Sequence, residues 1–541
     1  MMVYCAYIDL EHKKSEIFCN GTGEISEINS FRICDCINMS ASTICFVPSV
    51  KMVKCMYPGG IVDGEEYYKN NDSDILSYKY GKCEFRSFGA LIGMQNVKSL
   101  QKMYCGMPIS VAMYEYLCNL GEPAKIKYTL AYQAKKMFYD DIKEDLWEER
   151  KKKKKYYWDE ETYWDMYSGV KSGMLSHYYS KYIEDVLMYD IRSAYQSVLI
   201  NDDKFPIGKI VKIDCKNVDY KIMKIRKYLS TGTWFKVVFD GKFDGFSRYY
   251  DTKTGKTGLE YYNFRTIELT HGIEYVIDSL RDKDFRVYYS KENGYINDLV
   301  RDKIIELYNR KQNLPKDSFD RYITKTEGES IYGKGIQFYD FKTLGDIQDH
   351  YKGRGENYLT PEMSLHCTAK IEYEMAKAVK NTDSEYFDTD GIKVKNTRSA
   401  VDYFNAENEI ILQRNRDAGY DTDIGTWKFE GKADRMLIFS PKIYIYECNG
   451  DITFKAAGVD ADYKEYILNS IKGDKIMFMR QHGFPTMTKV YVYDSGDFIQ
   501  KIAKGKVYGD LSGKEEKRRN RISKMDNEEQ QVQRETMRFA E

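Results

Sequence analysis

The sequence has no net charge, little proline, few histidines and no long hydrophobic run. Its 541 residues include 83 Lys and Arg against 83 Asp and Glu, with 9 prolines and 6 histidines. This balance excludes a strong global field, so binding to any polyanion must use local positive channels. No apolar run approaches the roughly 18 residues of a membrane-spanning helix. The absence of a signal-peptide pattern adds to the expectation of a cytoplasmic protein with no membrane partner.

Cysteine is present, but its spacing does not suit a metal site. Nine of the 12 cysteines precede residue 119, and no two of them form a Cys-x-x-Cys pair. Cys34-x-Cys36 alone is weak evidence for zinc, so free thiols in a reducing cytosol are the simpler interpretation. The histidines show no HExxH spacing. The length of the chain is enough for several domains.

The most informative segment runs from Glu385 to Val394 and reads Glu-Tyr-Phe-Asp-Thr-Asp-Gly-Ile-Lys-Val. Its apolar residues predict two strands of a hairpin, with Gly391 supplying the flexibility of the turn. Asp388 and Asp390 at the tip would repel each other unless a cation lies between them. Mg²⁺ suits both carboxylates and substrate phosphates. An ordinary acidic β-turn is the alternative interpretation.

A second apolar strand, Val186–Tyr189, ends at Asp190 and is followed by Ser193 and Tyr195. Asp190 could join the hairpin carboxylates in holding two metal ions. Such a pair clamps the attacking and leaving oxygens of a phosphoryl transfer. The alternative is a simple capping residue at the strand end.

A basic, helical segment lies between these two acidic ones. Apolar residues recur at helical spacing from Leu299 to Lys311. Arg310 and, further along, Lys325 would project from helical surfaces, and lysine is a good point charge for a triphosphate. Tyr332 could form a flat wall against a nucleotide base. A solvated basic helix is the alternative.

In this order, the three segments resemble motifs A, B and C of family B DNA polymerases. The family patterns are Asp-x-x-Ser-Leu-Tyr-Pro, Lys-x-x-x-Asn-Ser-x-Tyr-Gly and Tyr-x-Asp-Thr-Asp-Ser. The chain has Asp190-Ile-Arg-Ser-Ala-Tyr-Gln, Lys325-x-x-x-Glu-Ser-x-Tyr-Gly and Tyr386-x-Asp-Thr-Asp-Gly. Ser440–Ile445 resembles the Lys-x-Tyr motif, and Gly425-x-Trp-x-x-Glu the approach to it. These further matches point to the protein-primed branch found in bacteriophages.

The resemblance implies two-metal nucleotidyl transfer. Asp190 and Asp390 would bind both Mg²⁺ ions, for which Mn²⁺ can substitute, with Asp388 beside them. Lys325 would neutralise the nucleotide phosphates, and the ring of Tyr195 would close the space that a ribose 2′-hydroxyl needs. The full implied set is nucleotide-binding Ser193, Tyr195, Arg310, Lys325 and Tyr332, with Lys442 and Tyr444 placing the primer terminus.

The chain departs from the family patterns at three positions. Glu329 replaces the motif B asparagine, Gln196 replaces a proline and Gly391 replaces a serine. None of these changes removes an acidic ligand or the motif B lysine, so an active site is expected. Glu329 adds a negative charge near the incoming triphosphate.

The N-terminal region is expected to be a shortened RNase H-like domain of the exonuclease type. Val3–Ile8 predicts a strand, and Asp9-x-Glu11 after it matches the first element of the family's exonuclease site. No second element is evident in residues 30–66. For the third element, Tyr68–Asp72 fits the spacing but lies too early, whereas the later candidate has Leu120 in place of an aspartate. Proofreading is therefore expected to be weak or absent.

The predicted fold class is a multidomain mixture of α/β and α+β, namely a right-hand polymerase with palm, fingers and thumb. The implied domains are 1–159, exonuclease-like; 160–202, first part of the palm; 203–299, an insertion like the first terminal-protein region; 300–336, fingers; 337–358, a shortened second terminal-protein region; 359–458, second part of the palm; and 459–541, thumb and charged tail.

The expected function is DNA-directed DNA synthesis on a phage or linear-element genome. The expected partners are template-primer DNA, deoxynucleotides and a terminal protein as primer, with the enzyme a monomer. Two alternatives remain open. One is a polymerase that needs no primer or no template. The other is a DNA-binding replication or defence protein that uses the fold without synthesis.

Overall fold

The structure is a computed structural model of the 541-residue chain. It describes residues 2–9, 14–28, 33, 36–37, 42–48, 50, 53, 61–63, 77–92, 100, 103–104, 106–126, 129–140, 142, 145–146, 176–178, 181–200, 205–206, 210–215, 235–240, 249–250, 259–263, 285–290, 293–316, 318–333, 361–440, 442–457, 459, 461–494 and 497–508.

The chain divides into two compact units, each assembled from separate segments. The first consists of Met1–Lys153, Asp302–Asn357 and Tyr491–Lys501, and the second of Lys154–Arg301, Tyr358–Val490 and Ile502–Glu541. The main divisions fall close to the domain ends predicted at 159, 299 and 358. The domain assignments themselves stay predictions.

The strands, in chain order, are β1 (Met2–Asp9), β2 (Lys14–Cys19), β3 (Ile25–Ile28), β4 (Thr43–Val47), β5 (Ile61–Asp63), β6 (Ser77–Tyr80), β7 (Cys83–Ser87), β8 (Ser176–Tyr178), β9 (Lys181–Ile191), β10 (Phe205–Pro206), β11 (Ile210–Cys215), β12 (Phe235–Asp240), β13 (Tyr249–Tyr250), β14 (Leu259–Asn263), β15 (Phe285–Ser290), β16 (Asn293–Gly294), β17 (Ser384–Asp388), β18 (Gly391–Lys395), β19 (Trp427–Ser440), β20 (Ile443–Cys448), β21 (Asp451–Ala456), β22 (Phe484–Asp494) and β23 (Asp497–Tyr508).

The helices are α1 (Gly89–Ile92), α2 (Ile109–Leu120), α3 (Leu130–Asp140), α4 (Ala194–Ile200), α5 (Asp298–Asn313), α6 (Phe319–Gly333), α7 (Pro361–Asn381), α8 (Arg398–Asp417), α9 (Ala461–Ser470) and α10 (Lys475–His482), with a 3₁₀ turn at Pro123–Lys125.

A seven-stranded mixed sheet organises the N-terminal part of the first unit. Its order is β3-β2-β1-β4-β7-β6-β5, and β4 runs parallel to both β1 and β7. Every residue of β4 is buried, as expected for a central strand covered on both faces. The strand predicted over Val3–Ile8 is confirmed as β1.

Two helices, which belong to the same unit apart from the first turn of α5, carry the predicted fingers residues. The Ser318 hydroxyl accepts a hydrogen bond from the Arg321 amide at 3.2 Å and so caps the start of α6. The Arg321 guanidinium donates to the Leu314 carbonyl at 3.1 Å and also to the Lys311 carbonyl, which ties α6 to the end of α5. The Tyr322 hydroxyl donates to the Ile92 carbonyl at 2.7 Å, so α6 is anchored on the N-terminal part.

The second unit is built on an antiparallel seven-stranded sheet. Its order is β21-β20-β19-β9-β18-β17-β8, with β9 at the centre. On one face, Tyr189 stacks on Phe404 of α8 with ring centroids 4.0 Å apart, and Trp427 packs on Phe404 at 5.0 Å. Because side chains alternate along a strand, Asp190 lies on the opposite face.

Smaller elements complete the second unit. A five-stranded sheet of order β11-β15-β12-β14-β13 lies within residues 203–299, the predicted insertion, and β10 pairs with β16. The helices α9 and α10 contribute to an apolar cluster with β19, β20 and β21. β22 and β23 form a two-stranded sheet, of which the segment Tyr491–Lys501 is counted with the first unit.

Some predictions lie outside the described residues. They concern Glu11, the Tyr68–Asp72 element, the loop at 337–358 and the charged tail beyond residue 508. Asp9 ends β1, and its backbone is described. None of the helices in the described ranges is long and apolar enough to cross a bilayer. The cysteines whose side chains are described, among them Cys5, Cys45 and Cys367, are free thiols.

Candidate active site

The hairpin predicted around the Asp-x-Asp segment is confirmed, but its turn works differently from the prediction. β17 ends at Asp388, which pairs with Gly391 at the start of β18. Thr389 has φ +59°, a left-handed conformation that is unusual for a β-branched residue. The prediction that Gly391 supplies the flexibility of the turn was therefore wrong, because Thr389 takes the strained conformation.

Gly391 is needed for space. It faces Asp190 of β9 in register, and the Ile191 amide donates to the Asp390 carbonyl at 2.9 Å. A Cβ at position 391 would lie 3.1 Å from Asp190 Oδ1, tighter than nine in ten real Cβ contacts, so the Asp190 side chain would have to shift by a few tenths of an ångström. The absence of a side chain lets Asp190 approach the hairpin that carries Asp388.

Two registered rows on one face of the sheet define the site. Asp190, Gly391 and Asp388 form the first row across β9, β18 and β17. The second row places Lys393 of β18 between Met188 and Tyr386. Positions two residues apart on a strand share a face, so both rows project to the same side.

Lys393 is a buried lysine beside the carboxylates. Its side chain is buried, and its Nζ lies 3.6 Å from the point that a Cβ of Gly391 would occupy. Loss of hydration lowers the pKa of Lys393, while the charges of Asp190, Asp388, Glu430 and Asp390 oppose that shift. Sequence reasoning missed this residue. The available signal was a charge between two apolar residues of a short strand.

Both carboxylate oxygens of Asp388 have partners within the chain. The Tyr386 hydroxyl donates to Oδ2 at 3.0 Å, and the Thr389 hydroxyl donates to Oδ1 at 2.8 Å. Lys442 Nζ lies 4.0 Å from Oδ1. Burial, and then the charge of Asp388, raises the pKa of Tyr386 well above its ordinary value, so this hydroxyl remains a donor.

The predicted primer-terminus residues are joined to the hairpin through Tyr386. Lys442 lies between β19 and β20 with φ +59°, and its backbone amide donates to the Tyr386 hydroxyl at 2.8 Å. A continuous chain of hydrogen bonds thus runs from Lys442 through Tyr386 to Asp388. The ring of Tyr444 lies 5.6 Å from that of Tyr386.

The turn predicted to carry motif A follows β9 directly. Ser193 has φ +48°, and its carbonyl accepts from the Ser197 amide at 2.9 Å as α4 begins. Tyr195 is half-buried in the first turn of α4. Two backbone hydrogen bonds join this turn to the segment before β19. The Gly425 amide donates to the Arg192 carbonyl at 2.8 Å, and the Arg192 amide donates to the Thr426 carbonyl at 2.9 Å.

The predicted fingers residues lie in the first unit. Arg310 is exposed in the last turn of α5, and Tyr332 is half-buried near the end of α6. Lys325 Nζ lies 3.7 Å from Glu329 Oε1, and both side chains are more than half exposed. Loss of hydration raises the pKa of Glu329, whereas Lys325 and Lys311 oppose the rise. Glu329, which stands where the predicted motif B has an asparagine, is thus the ion-pair partner of Lys325.

The donor chemistry of the carboxylate site fits Mg²⁺. The side chains of Asp190, Asp388 and Asp390 offer hard oxygen ligands, and Gly391 leaves space beside the first of them. Within the part of the chain that the structure describes, no three His, Cys, Asp or Glu side chains form a group placed to hold a metal. The assignment of Mg²⁺ to these carboxylates therefore stays a prediction.

Neither a protein-family model nor a curated protein matches the chain. Several solved structures, however, match the chain. Phi29 DNA polymerase complexed with primer-template DNA superposes with a TM-score of 0.61 over 93% of this chain and 100% of that one, at 12% identity. Its complex with primer-template DNA and incoming nucleotides gives a TM-score of 0.60 over 94% and 99%, also at 12% identity. The chain has the fold of phi29 DNA polymerase.

Phi29 DNA polymerase is a protein-primed family B polymerase, so the resemblance predicted from the three sequence motifs is confirmed at the level of the fold. A third phi29 structure, complexed with single-stranded DNA, agrees with a TM-score of 0.61 and 13% identity. At such identities the likeness to phi29 DNA polymerase concerns the fold alone. The roles of individual residues depend on the geometry of this chain.

Proposed function

We propose that the chain is a DNA-directed DNA polymerase that transfers deoxynucleoside monophosphates to a 3′-hydroxyl. The observation that carries the proposal is the meeting of Asp190 with the Asp388–Asp390 turn, to which Lys442 is tied through Tyr386. The phi29 enzyme, with the same fold, is complexed with primer-template DNA and incoming nucleotides. Those ligands are the ones we propose for this chain.

The residues of the site have separate tasks in this proposal. Mg²⁺ held by Asp190 and Asp390, with Asp388 beside them, would lower the pKa of the primer hydroxyl and neutralise charge on the leaving pyrophosphate. Lys442 presents a cation 4.0 Å from Asp388, where a primer phosphate can be attracted without any contact to a base. Lys325 would meet the β- and γ-phosphates of the nucleotide.

The other domains follow the same proposal. We assign the seven-stranded sheet containing β9 to the palm, α5 and α6 to the fingers, and the elements after residue 459 to the thumb. The N-terminal mixed sheet would be a shortened exonuclease-type domain with weak or absent proofreading. Leu120, at the position where an aspartate is expected, is buried in an apolar cluster and supports that view. Priming by a terminal protein and a monomeric state belong to the proposal.

Primer extension tests the proposal directly. The purified protein is incubated with Mg²⁺, deoxynucleotides and a primed template, and then without primer or without template. Template-dependent elongation of the primer supports the assignment. Products in the other two reactions would indicate a primer-independent or template-independent polymerase.

A second candidate function is DNA binding without synthesis. It is favoured by one observation, namely that the described residues contain no ready group of three metal-ligand side chains. Tight binding of the primed template, with no elongation in Mg²⁺ or Mn²⁺, would establish this candidate and overturn the first.

Tyr195→Val should admit ribonucleotides. Removing the half-buried ring at the start of α4 would open the space beside the sugar, and we expect the preference for dNTP over rNTP to fall by about 100-fold, as for loss of a steric constraint worth a few kcal/mol. Single-nucleotide kcat/KM values for both sugars measure it. Tyr195→Phe is the matched control, because it keeps the ring and should keep the selectivity. Equal selectivity in the valine variant would remove Tyr195 from this role.

Glu329→Gln should tighten nucleotide binding. The carboxylate lies 3.7 Å from Lys325 Nζ and competes with a triphosphate for that cation. Because the pair is exposed, we expect only a two- to fivefold fall in the KM for dNTP, about the worth of a surface ion pair. Glu306→Gln, which removes the exposed carboxylate of an ion pair with the largely buried Lys303 on α5, is the control. A KM that stays constant or rises would show that Glu329 does not compete.

A further inference from the structure

Lys393 has an unusual position for a charged side chain. It lies at the middle of a short strand, with Met188 and Tyr386 as its registered neighbours, and is 9% exposed. A lysine in such a place needs nearby negative charge, because an unpaired buried ammonium is very costly. The carboxylates of the adjacent row, Asp190 and Asp388, supply it.

The Lys393 ammonium and an oxygen of Asp190, a proposed metal ligand, both lie beside Gly391. The point where a Cβ of Gly391 would stand is 3.1 Å from Asp190 Oδ1 and 3.6 Å from Lys393 Nζ. A divalent cation bound to Asp190 on this side of the sheet would therefore lie close to a fixed positive charge. Repulsion between charges a few ångströms apart in a partly buried site is large enough to change binding constants.

We propose that Lys393 is the resident counter-ion of the carboxylate site, where it holds Asp190 and Asp388 in place without metal and opposes the entry of a divalent cation. The inference rests on the metal-binding role proposed above for these carboxylates. Lys393 would then determine the free concentration of divalent cation at which the carboxylate site becomes occupied.

Lys395 provides a matched control on the same strand. It lies two residues further along β18, is 55% exposed and pairs with Glu385 at 3.6 Å. Lys395→Met removes the same charge and the same length of side chain, but outside the carboxylate site. The comparison therefore separates a local effect from a change in net charge.

The test is a titration of the full-length protein with Mn²⁺ alone, without DNA or nucleotide, in which electron paramagnetic resonance measures free Mn²⁺. Lys393→Met should lower the apparent dissociation constant by about tenfold or more, while Lys395→Met stays within about twofold of the wild type. Asp388→Asn in the Lys393→Met background should remove the gain. Unchanged Mn²⁺ affinity in Lys393→Met, or a gain that survives Asp388→Asn, would overturn the proposal.

A second readout guards against a folding defect. Lys393→Met removes one positive charge from the carboxylate site and leaves Lys442, 4.0 Å from Asp388. The melting temperature of the variant should therefore fall, and saturating Mn²⁺ should raise it by more than in the wild type. Lys393→Gln is the alternative neutral variant if the methionine protein does not fold. A loss of stability that Mn²⁺ does not restore in either variant would make Lys393 purely structural and overturn its role towards metal.

This measurement is independent of synthesis. A wild-type protein that fails to extend primers, but whose Lys393 variant gains Mn²⁺ affinity, would refute the proposed function and leave this inference standing. Normal primer extension by the wild type, with equal Mn²⁺ affinity in the wild type and the Lys393 variant, would support the proposed function and overturn this inference.

Discussion

Asp388→Asn should reduce primer extension by a factor of about 1,000 or more, the scale seen when one acidic member of a catalytic group is removed. In the wild type the Tyr386 hydroxyl donates to Asp388 Oδ2 at 3.0 Å. Asparagine keeps the shape of the side chain, and its oxygen can still accept this hydrogen bond. It removes one negative charge from the proposed metal site and one acceptor from Thr389. The loss should therefore be in kcat, with the hairpin still folded.

Binding of the primed template separates this effect from general damage. Fluorescence anisotropy without metal should give nearly the same DNA affinity for Asp388→Asn and the wild type, because DNA affinity depends mainly on phosphate contacts. Asp402→Asn is the control, since Asp402 is an exposed carboxylate on α8 that pairs with Arg398. Extension by Asp388→Asn at a rate near that of the wild type would exclude the carboxylate site as the catalytic centre.

The helix and strands that form this site locally could be predicted from the sequence. Apolar residues around the Asp-x-Asp segment predicted the hairpin, and the structure has it as β17 and β18. The strand before Asp190 and the helix from Leu299 were predicted in the same way and are found as β9 and α5. Each of these depends on residues close together in the chain, where periodicity and turn chemistry operate.

The contacts between distant parts of the chain at this site could not be predicted from the sequence. The bond from the Lys442 amide to the Tyr386 hydroxyl joins residues 56 positions apart, and the register that sets Gly391 against Asp190 joins residues still more distant. Register is fixed only when the whole sheet forms. For the same reason, no sequence pattern showed that Lys393 would be buried beside Asp190. Gly391 was misassigned because its need for space comes from another strand.

Gly425 illustrates how such a distant contact supports the motif A turn. It has φ +86°, and a Cβ added there would lie 2.9 Å from the Cβ of Ser197 in α4. Its amide also donates to the Arg192 carbonyl, immediately before Ser193. A side chain at this position has to adopt an unfavourable backbone conformation and push α4 away, so two separate costs apply.

Gly425→Ala should lower the free energy of unfolding by about 3 kcal/mol, as a left-handed alanine and an overpacked contact combine. Gly450→Ala is the control, because Gly450 has φ +87° with no atom within 4 Å of the added Cβ. That variant meets only the backbone cost and should lose about 1–2 kcal/mol. Urea unfolding of both variants measures the difference in their free energies of unfolding. Equal decreases would show that the close contact with Ser197 is relieved at no cost in free energy. If the contact holds, Gly425→Ala should also slow primer extension, because the turn carrying Ser193 and the start of α4 must move to make room.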